Sequence, residues 1–194
     1  MHIGVPNGLT LLRVVLIPVM VVLYILPFDW GHPAAALVFV LAALTDWFDG
    51  FLARRLDEGS PFGAFLDPVA DKLLVATALI LLVMANGHFW VALPAFIIIG
   101  REIAVSALRE WMASVGASRA VAVSRAGKIK TAVQMIAIVL MLYGHPIGGV
   151  AIYLIGLALL YLAAALTVFS MYLYLEAAWP KLGLQRARND KSEL

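Results

Sequence analysis

Four aspartates lie close together in a chain that is otherwise strongly apolar: Asp46, Asp49, Asp67 and Asp71. On a helix, residues three or four apart lie on the same face, so Asp46 faces the same side as Asp49, and Asp67 the same side as Asp71. The link between the two helices is short, which predicts antiparallel neighbours, with Asp46 and Asp71 each roughly 12 Å inside their helix ends and all four acids at similar depth. The spacing therefore predicts that four carboxylates converge between two helices.

Four carboxylates in a medium of low dielectric constant need cations close by. Like charges would otherwise force protonation, and each charge near the centre of a membrane helix costs about 2.5–3.5 kcal/mol. Arg54 and Lys72 are too few to neutralise four acids. Because the ligands are all oxygen, the pattern favours one or two Mg²⁺ or Mn²⁺ ions over zinc. The competing interpretation is a buried ion-pair network that fixes the register of the helices.

The elements that position these acids are predicted to be membrane helices. Of the 194 residues, 63% are hydrophobic and 13% are charged, whereas a soluble domain has about 45–50% and 25%. The mean hydropathy is +0.96. This composition excludes a soluble enzyme, a disordered chain and a disulfide-rich secreted domain, and a cysteine count of 0 excludes thiolate chemistry. A net charge of only +2 gives no indication of a nucleic-acid partner.

Six continuous apolar runs predict an all-α fold with six transmembrane helices. The runs lie near residues 8–28, 34–54, 64–86, 89–112, 122–143 and 147–178. Lys and Arg are absent from the links at 27–33, 86–88 and 144–146, so the positive-inside rule places the N- and C-termini in the cytoplasm. We expect residues 1–180 to form a single six-helix membrane domain and residues 181–194 to form a polar cytoplasmic tail.

A second charged cluster lies on the fourth and fifth predicted spans and contains Arg101, Arg109, Lys128 and Lys130. Arg101 lies about 11 positions, or roughly 16 Å, inside its helix end, which is too deep for a charge that only sets topology. An excess of cations beside a metal site predicts a pocket for an anion such as a phosphate.

The acidic segment matches a known pattern at every fixed position. From Asp46 to Asp71 it fills D-x2-D-G-x2-A-R-x8-G-x3-D-x3-D, and the chain thus resembles the CDP-alcohol phosphotransferase family. The resemblance implies a site for two metal ions between the second and third helices, with Asp71 also acting as the base that takes the acceptor's proton. The implied metal ligands are Asp46, Asp49, Asp67 and Asp71.

The resemblance also implies contacts with a CDP-lipid, whose pyrophosphate would bridge the metal ions. Arg54 would contact the phosphate on the cytidine side, and the small residues leave space for the nucleotide. Capping of the first helix is a sufficient explanation for Asn7, while Arg13 either extends to the membrane interface or contacts phosphate. The residues implied to bind the CDP-lipid are Asn7, Thr10, Gly50, Ala53, Arg54 and Gly63.

Residues 6–13, 100–110 and 127–135 resemble the branch of this family whose acceptor is glycerol 3-phosphate. This implies transfer of a phosphatidyl group from CDP-diacylglycerol to sn-glycerol 3-phosphate, giving phosphatidylglycerophosphate and CMP. The site would face the cytoplasm from a bacterial-type inner membrane, and relatives commonly form homodimers. Two alternatives stay open: the same chemistry on inositol phosphate, serine or phosphatidylglycerol, and a divalent-cation transporter. The implied ligands of the acceptor phosphate are Arg101, Arg109, Lys128 and Lys130.

Overall fold

Six α-helices make up the fold of the chain in the computed structural model, which describes residues 5–56, 61–114 and 125–190. The prediction of an all-α protein with six helices is confirmed for these residues, and each helix overlaps one predicted span. The helices are α1 (Val5–Ile25), α2 (Gly31–Leu56), α3 (Pro61–Asn86), α4 (Phe89–Ser114), α5 (Arg125–Tyr143) and α6 (Ile152–Asp190).

The helix ends differ from the predicted spans mainly at α6. This helix begins at Ile152 rather than near residue 147, because Ile147 and Val150 pair across a tight turn that includes two glycines with positive φ. It then continues to Asp190, past residue 180, where the polar tail was expected to begin. The division into a membrane domain and a tail stays a prediction.

The packing of the helices brings the charged segments of the chain to one another. Helix α1 packs against α2 and α3, α3 packs against α4, and α6 packs against both α4 and α5. Helix α5 also contacts α2, so the arrangement closes around a common core. Fully buried side chains at its centre include Met20, Phe39, Leu79, Ile138 and Leu160.

Four helical stretches among the described residues are long and apolar enough to cross a membrane: Gly8–Ile25, Phe65–Asn86, Phe89–Ser114 and Ile152–Leu173. Two further apolar stretches, Gly31–Thr45 and Ile129–Tyr143, are shorter. The whole of α2 is nevertheless 26 residues long and α5 is 19, or roughly 39 and 28 Å at 1.5 Å per residue.

Large apolar side chains cover the outside of the bundle, as expected for a surface in contact with lipid. Phe65, Met84 and Phe96 are 68%, 69% and 79% exposed. A soluble monomer rarely exposes a contiguous apolar surface of this extent. The structure therefore supports an integral membrane protein, while the number of helices that cross the bilayer stays a prediction.

Helices α5 and α6 pack tightly against each other at Gly156. A Cβ atom at this position would lie 2.7 Å from Cγ of Met141 and 3.0 Å from the carbonyl oxygen of Ala137. Met141 is buried and cannot move aside into solvent. Overpacking of this kind costs about 1–3 kcal/mol, so we expect Gly156→Ala to lower the unfolding temperature in detergent by several degrees.

Gly100→Ala is the matched control for this substitution. A Cβ atom at Gly100 meets nothing within 4 Å, and alanine is the better helix former. We expect its unfolding temperature to equal or exceed that of the parent protein. Equal unfolding temperatures for the two variants would contradict the close packing at Gly156.

Candidate active site

Helix α3 holds two of the four aspartates on one face. Asp67 and Asp71 are one turn apart within Pro61–Asn86, so their carboxylates project to the same side. The Asp67 side chain is 43% exposed, and Asp71 is half-buried at the wall of a cavity. Both acids are therefore accessible to a ligand and at the same time held against the protein.

Helix α2 bears the other two aspartates, and its backbone is helical without a break from Gly31 to Leu56. Helical spacing therefore places four residues on one face of α2, as predicted: Asp46, Asp49, Gly50 and Ala53. Their side chains, and that of Arg54, lie outside the part of the chain whose side chains the structure describes. The convergence of all four carboxylates thus stays a prediction.

Asp67 forms an ion pair with Arg13 of α1. The Nη1 atom of Arg13 donates a hydrogen bond to Oδ1 of Asp67 across 3.0 Å. The Arg13 side chain is 0% exposed, so it does not extend to the membrane interface, which was one of the two possibilities left open for it. Thr10, one turn earlier on α1, is also buried.

A polar cavity of about 250 Å³ lies between α3, α4 and α5. Asp71 contributes a carboxylate to it, and Arg101, Arg109 and Lys130 contribute cations from the two neighbouring helices. The remaining lining residues are Pro68, Lys72, Glu102, Val105, Ser106 and Thr131. The structure thus brings three of the four residues predicted to bind the acceptor phosphate together with the predicted base.

The charges around this cavity favour an anion. Four of its described lining residues are cationic and two are acidic, and one acid, Glu102, already lies 3.9 Å from Nζ of Lys130. Cations that exceed their acidic partners in a partly enclosed space bind phosphate through charge-assisted hydrogen bonds. The cavity therefore has the size and the charge for a small phosphorylated molecule, with a carboxylate at one side.

Arg101 is fixed by α6, a contact that the sequence did not reveal. Its Nη2 atom donates a hydrogen bond to Oγ of Ser170 across 2.8 Å, and Ser170 in turn donates to the carbonyl oxygen of Thr167. Ser170 is buried in the first half of α6, where most residues are apolar. A buried hydroxyl in such a helix could have indicated a polar contact, but its partner is 69 residues away.

The other predicted site residues fall into two groups. Gly63 is half-buried near the start of α3, and Thr10 is buried on α1. The side chains of Asn7 and Lys128 lie outside those that the structure describes, as do those of the α2 residues. Ser106 and Thr131 line the cavity and were not predicted, because a single hydroxyl residue in a helix has no distinctive pattern.

Comparison with known proteins identifies the class to which this fold and site belong. The family model of the CDP-alcohol phosphatidyltransferases matches residues 3–172, and the chain belongs to this family. Curated relatives from Pseudomonas fluorescens, Sodalis glossinidius and Yersinia pestis are 53%, 54% and 52% identical to it. The matches cover 92%, 92% and 94% of this chain and 92%, 96% and 98% of the relatives. Each of these relatives is named CDP-diacylglycerol–glycerol-3-phosphate 3-phosphatidyltransferase.

Proposed function

We propose that the protein is an enzyme that transfers a phosphatidyl group from CDP-diacylglycerol to sn-glycerol 3-phosphate, giving phosphatidylglycerophosphate and CMP. The observation that supports this most strongly is the cavity in which Asp71 lies beside Arg101, Arg109 and Lys130. An acceptor that bears both a hydroxyl and a phosphate needs a base and a cationic pocket within one small space. The names of the relatives, which are more than half identical over most of the chain, support the same reaction.

The proposed transfer accounts for the bond that forms, the bond that breaks and the proton that moves. The acceptor hydroxyl oxygen forms a bond to the phosphorus next to the diacylglycerol, and Asp71 accepts its proton. The bond from that phosphorus to the oxygen of the CMP phosphate breaks, and CMP leaves with the bonding electrons. Arg101, Arg109, Lys128 and Lys130 would hold the acceptor phosphate and thereby direct the hydroxyl towards the donor.

The donor set of the acidic segment fits a divalent metal. The potential ligands of the acidic segment are all carboxylates. One of them, Asp67, already accepts a hydrogen bond from the cationic guanidinium of Arg13. Asp46, Asp49, Asp67 and Asp71 would hold two Mg²⁺ or Mn²⁺ ions. Such ions would neutralise negative charge on both phosphates of the donor: the one next to the diacylglycerol, which is attacked, and the one that leaves with CMP.

The donor would lie between α1, α2 and α3. The motif and the family resemblance support contacts from the first turns of α1 and from the small residues and arginine of the acidic segment. By family resemblance, Arg54 would contact the phosphate on the cytidine side. The residues proposed to bind the CDP-lipid are Asn7, Thr10, Gly50, Ala53, Arg54 and Gly63.

Placement in the membrane follows from the charge pattern. We propose that all six helices cross the bilayer, with both termini and the active site at the cytoplasmic side of a bacterial-type inner membrane. The lengths of α2 and α5 support this, since about 20 residues span the hydrocarbon core. The family resemblance supports a homodimer.

The acceptor can be identified directly. Purified protein is incubated with CDP-diacylglycerol, Mg²⁺ and one acceptor at a time: glycerol 3-phosphate, inositol phosphate, serine or phosphatidylglycerol. We expect CMP release only with glycerol 3-phosphate, together with a lipid of the mass of phosphatidylglycerophosphate. Release with another acceptor instead would contradict the proposed substrate, and Mg²⁺ flux into proteoliposomes without CMP release would indicate a transporter.

Arg101→Lys tests the assignment of the cationic cavity. Lysine keeps the charge but lacks the planar fork of arginine, and the loss of one charge-assisted contact costs about 1.5–3 kcal/mol, or roughly ten- to hundredfold in kcat/KM. We expect the KM for glycerol 3-phosphate to rise while the KM for CDP-diacylglycerol changes little. Separate titrations of the two substrates measure this.

Ser170→Ala should shift the acceptor KM in the same direction, because it removes the hydroxyl that holds Arg101. Ser114→Ala is the control, since that serine is exposed at the end of α4 and bonds only its own helix among the contacts described. If the donor KM rises in Arg101→Lys and the acceptor KM does not, the cluster binds the lipid.

A further inference from the structure

Arg13 is the one charged residue of α1, and it is fully buried. Burial of an unpaired guanidinium among apolar helices would cost several kcal/mol. Its ion pair with Asp67 offsets this cost across a sequence separation of 54 residues. The pair therefore ties α1 to the face of α3 that bears Asp67 and Asp71.

The contact engages a single oxygen of the Asp67 carboxylate. Nη1 of Arg13 lies 3.0 Å from Oδ1, and a carboxylate has two oxygens with about four lone-pair positions between them. The Asp67 side chain is 43% exposed although its partner is 0% exposed, so one side of the carboxylate faces protein and another side is open.

From this arrangement we infer that Arg13 is a positioning residue: it fixes the orientation of the Asp67 carboxylate so that the second oxygen is presented to a divalent metal ion. This inference rests on the proposed function. Residues that orient a metal ligand commonly alter metal affinity or activity by 10–100-fold when they are replaced. Arg13 would thus act through Asp67 and would not touch the substrates.

This role differs in its kinetics from direct binding of the donor phosphate. A residue that contacts the CDP-lipid would raise the KM for that lipid when it is replaced. A residue that orients a metal ligand would lower kcat and leave the donor KM nearly unchanged. We expect Arg13→Met to lower kcat by roughly 10–100-fold at saturating Mg²⁺, with a change in the donor KM of less than about threefold.

Arg13→Lys keeps the experiment informative if Arg13→Met folds poorly. Lysine supplies the charge but holds a carboxylate less rigidly than the guanidinium does, so we expect partial rescue of kcat. Met20→Ala is the matched control for a general disturbance of α1, because Met20 is also 0% exposed and lies two turns further along the helix. It should lower the unfolding temperature and leave kcat unchanged.

A second readout needs neither substrate nor turnover. Unfolding temperatures in EDTA are measured for Arg13→Met, Asp67→Asn and the double variant. We expect each single substitution to lower the unfolding temperature by several degrees. The double variant should unfold at a temperature no lower than that of the less stable single variant, because the two side chains stabilise each other. Met20→Ala combined with Asp67→Asn should instead show additive losses.

The two readouts separate the failure of this inference from the failure of the proposed function. Additive losses for Arg13→Met and Asp67→Asn would overturn the pairing, whatever reaction the protein catalyses. A raised donor KM with an unchanged kcat in Arg13→Met would overturn the positioning role in favour of substrate contact. If the parent protein releases no CMP with any acceptor, the proposed function fails, while the unfolding experiment still decides the pairing.

Discussion

Asp49→Asn, Asp46→Asn and Asp67→Asn are each expected to abolish metal-dependent release of CMP. An asparagine presents one neutral oxygen where the proposed metal site needs a charged ligand. The metal ions would supply several kcal/mol of stabilisation to the transition state, and each 1.36 kcal/mol is tenfold in rate. We therefore expect kcat to fall by about a thousandfold or more in an assay of CMP release.

Asp29→Asn is the control for these substitutions. Asp29 is an exposed acid in the link between α1 and α2, at the opposite end of the bundle from the acidic segment. Its replacement should leave turnover unchanged. Near-normal turnover of Asp46→Asn, Asp49→Asn or Asp67→Asn at saturating Mg²⁺ would remove that residue from the proposed ligands.

Asp71→Asn is expected to lower kcat far more than it weakens binding of the CDP-lipid. General-base catalysis contributes typically 10²–10⁴-fold, and Asp71 lines the cavity that holds the cations for the acceptor. The donor would bind chiefly through the other acids, so its affinity should change little. Steady-state kinetics together with equilibrium binding of the CDP-lipid separate the two quantities.

Glu102→Gln is the matched comparison for Asp71→Asn. Glu102 is a second acid in the same cavity, but it lies 3.9 Å from Lys130 and is not part of the acidic motif. Its replacement should lower kcat much less than Asp71→Asn does, because its 3.9 Å contact with Lys130 is longer than a charge-assisted hydrogen bond. A loss of donor affinity in Asp71→Asn that equals the loss of rate would make Asp71 a metal ligand alone.

The helices and the acidic pairs could be predicted because both follow from local periodicity. Six continuous apolar runs located all six helices, and the spacing of Asp67 and Asp71 determined their shared face on α3. The depth of Arg101 likewise indicated a role beyond topology, and the structure places it at a cavity beside Asp71. These features depend on residues within one helix.

The contacts between distant helices could not be predicted. Arg13 pairs with Asp67 and Arg101 bonds Ser170 only because of how α1 packs on α3 and α4 packs on α6. Glu102 of α4 lies 3.9 Å from Lys130 of α5, a partner on another helix that spacing along α4 does not specify. No periodicity in a single sequence specifies which helices become neighbours, so such partners emerge only from the fold.

The central claim is that the acids of α2 and α3 form one metal site at which the transfer occurs. Anomalous scattering from crystals of the protein grown with Mn²⁺ and CDP-diacylglycerol tests it most directly. The account predicts two peaks about 3.5–4 Å apart, between α2 and α3 and within bonding distance of Asp46, Asp49, Asp67 and Asp71. Mn²⁺ peaks elsewhere, or none between these helices in protein that releases CMP, would contradict the account.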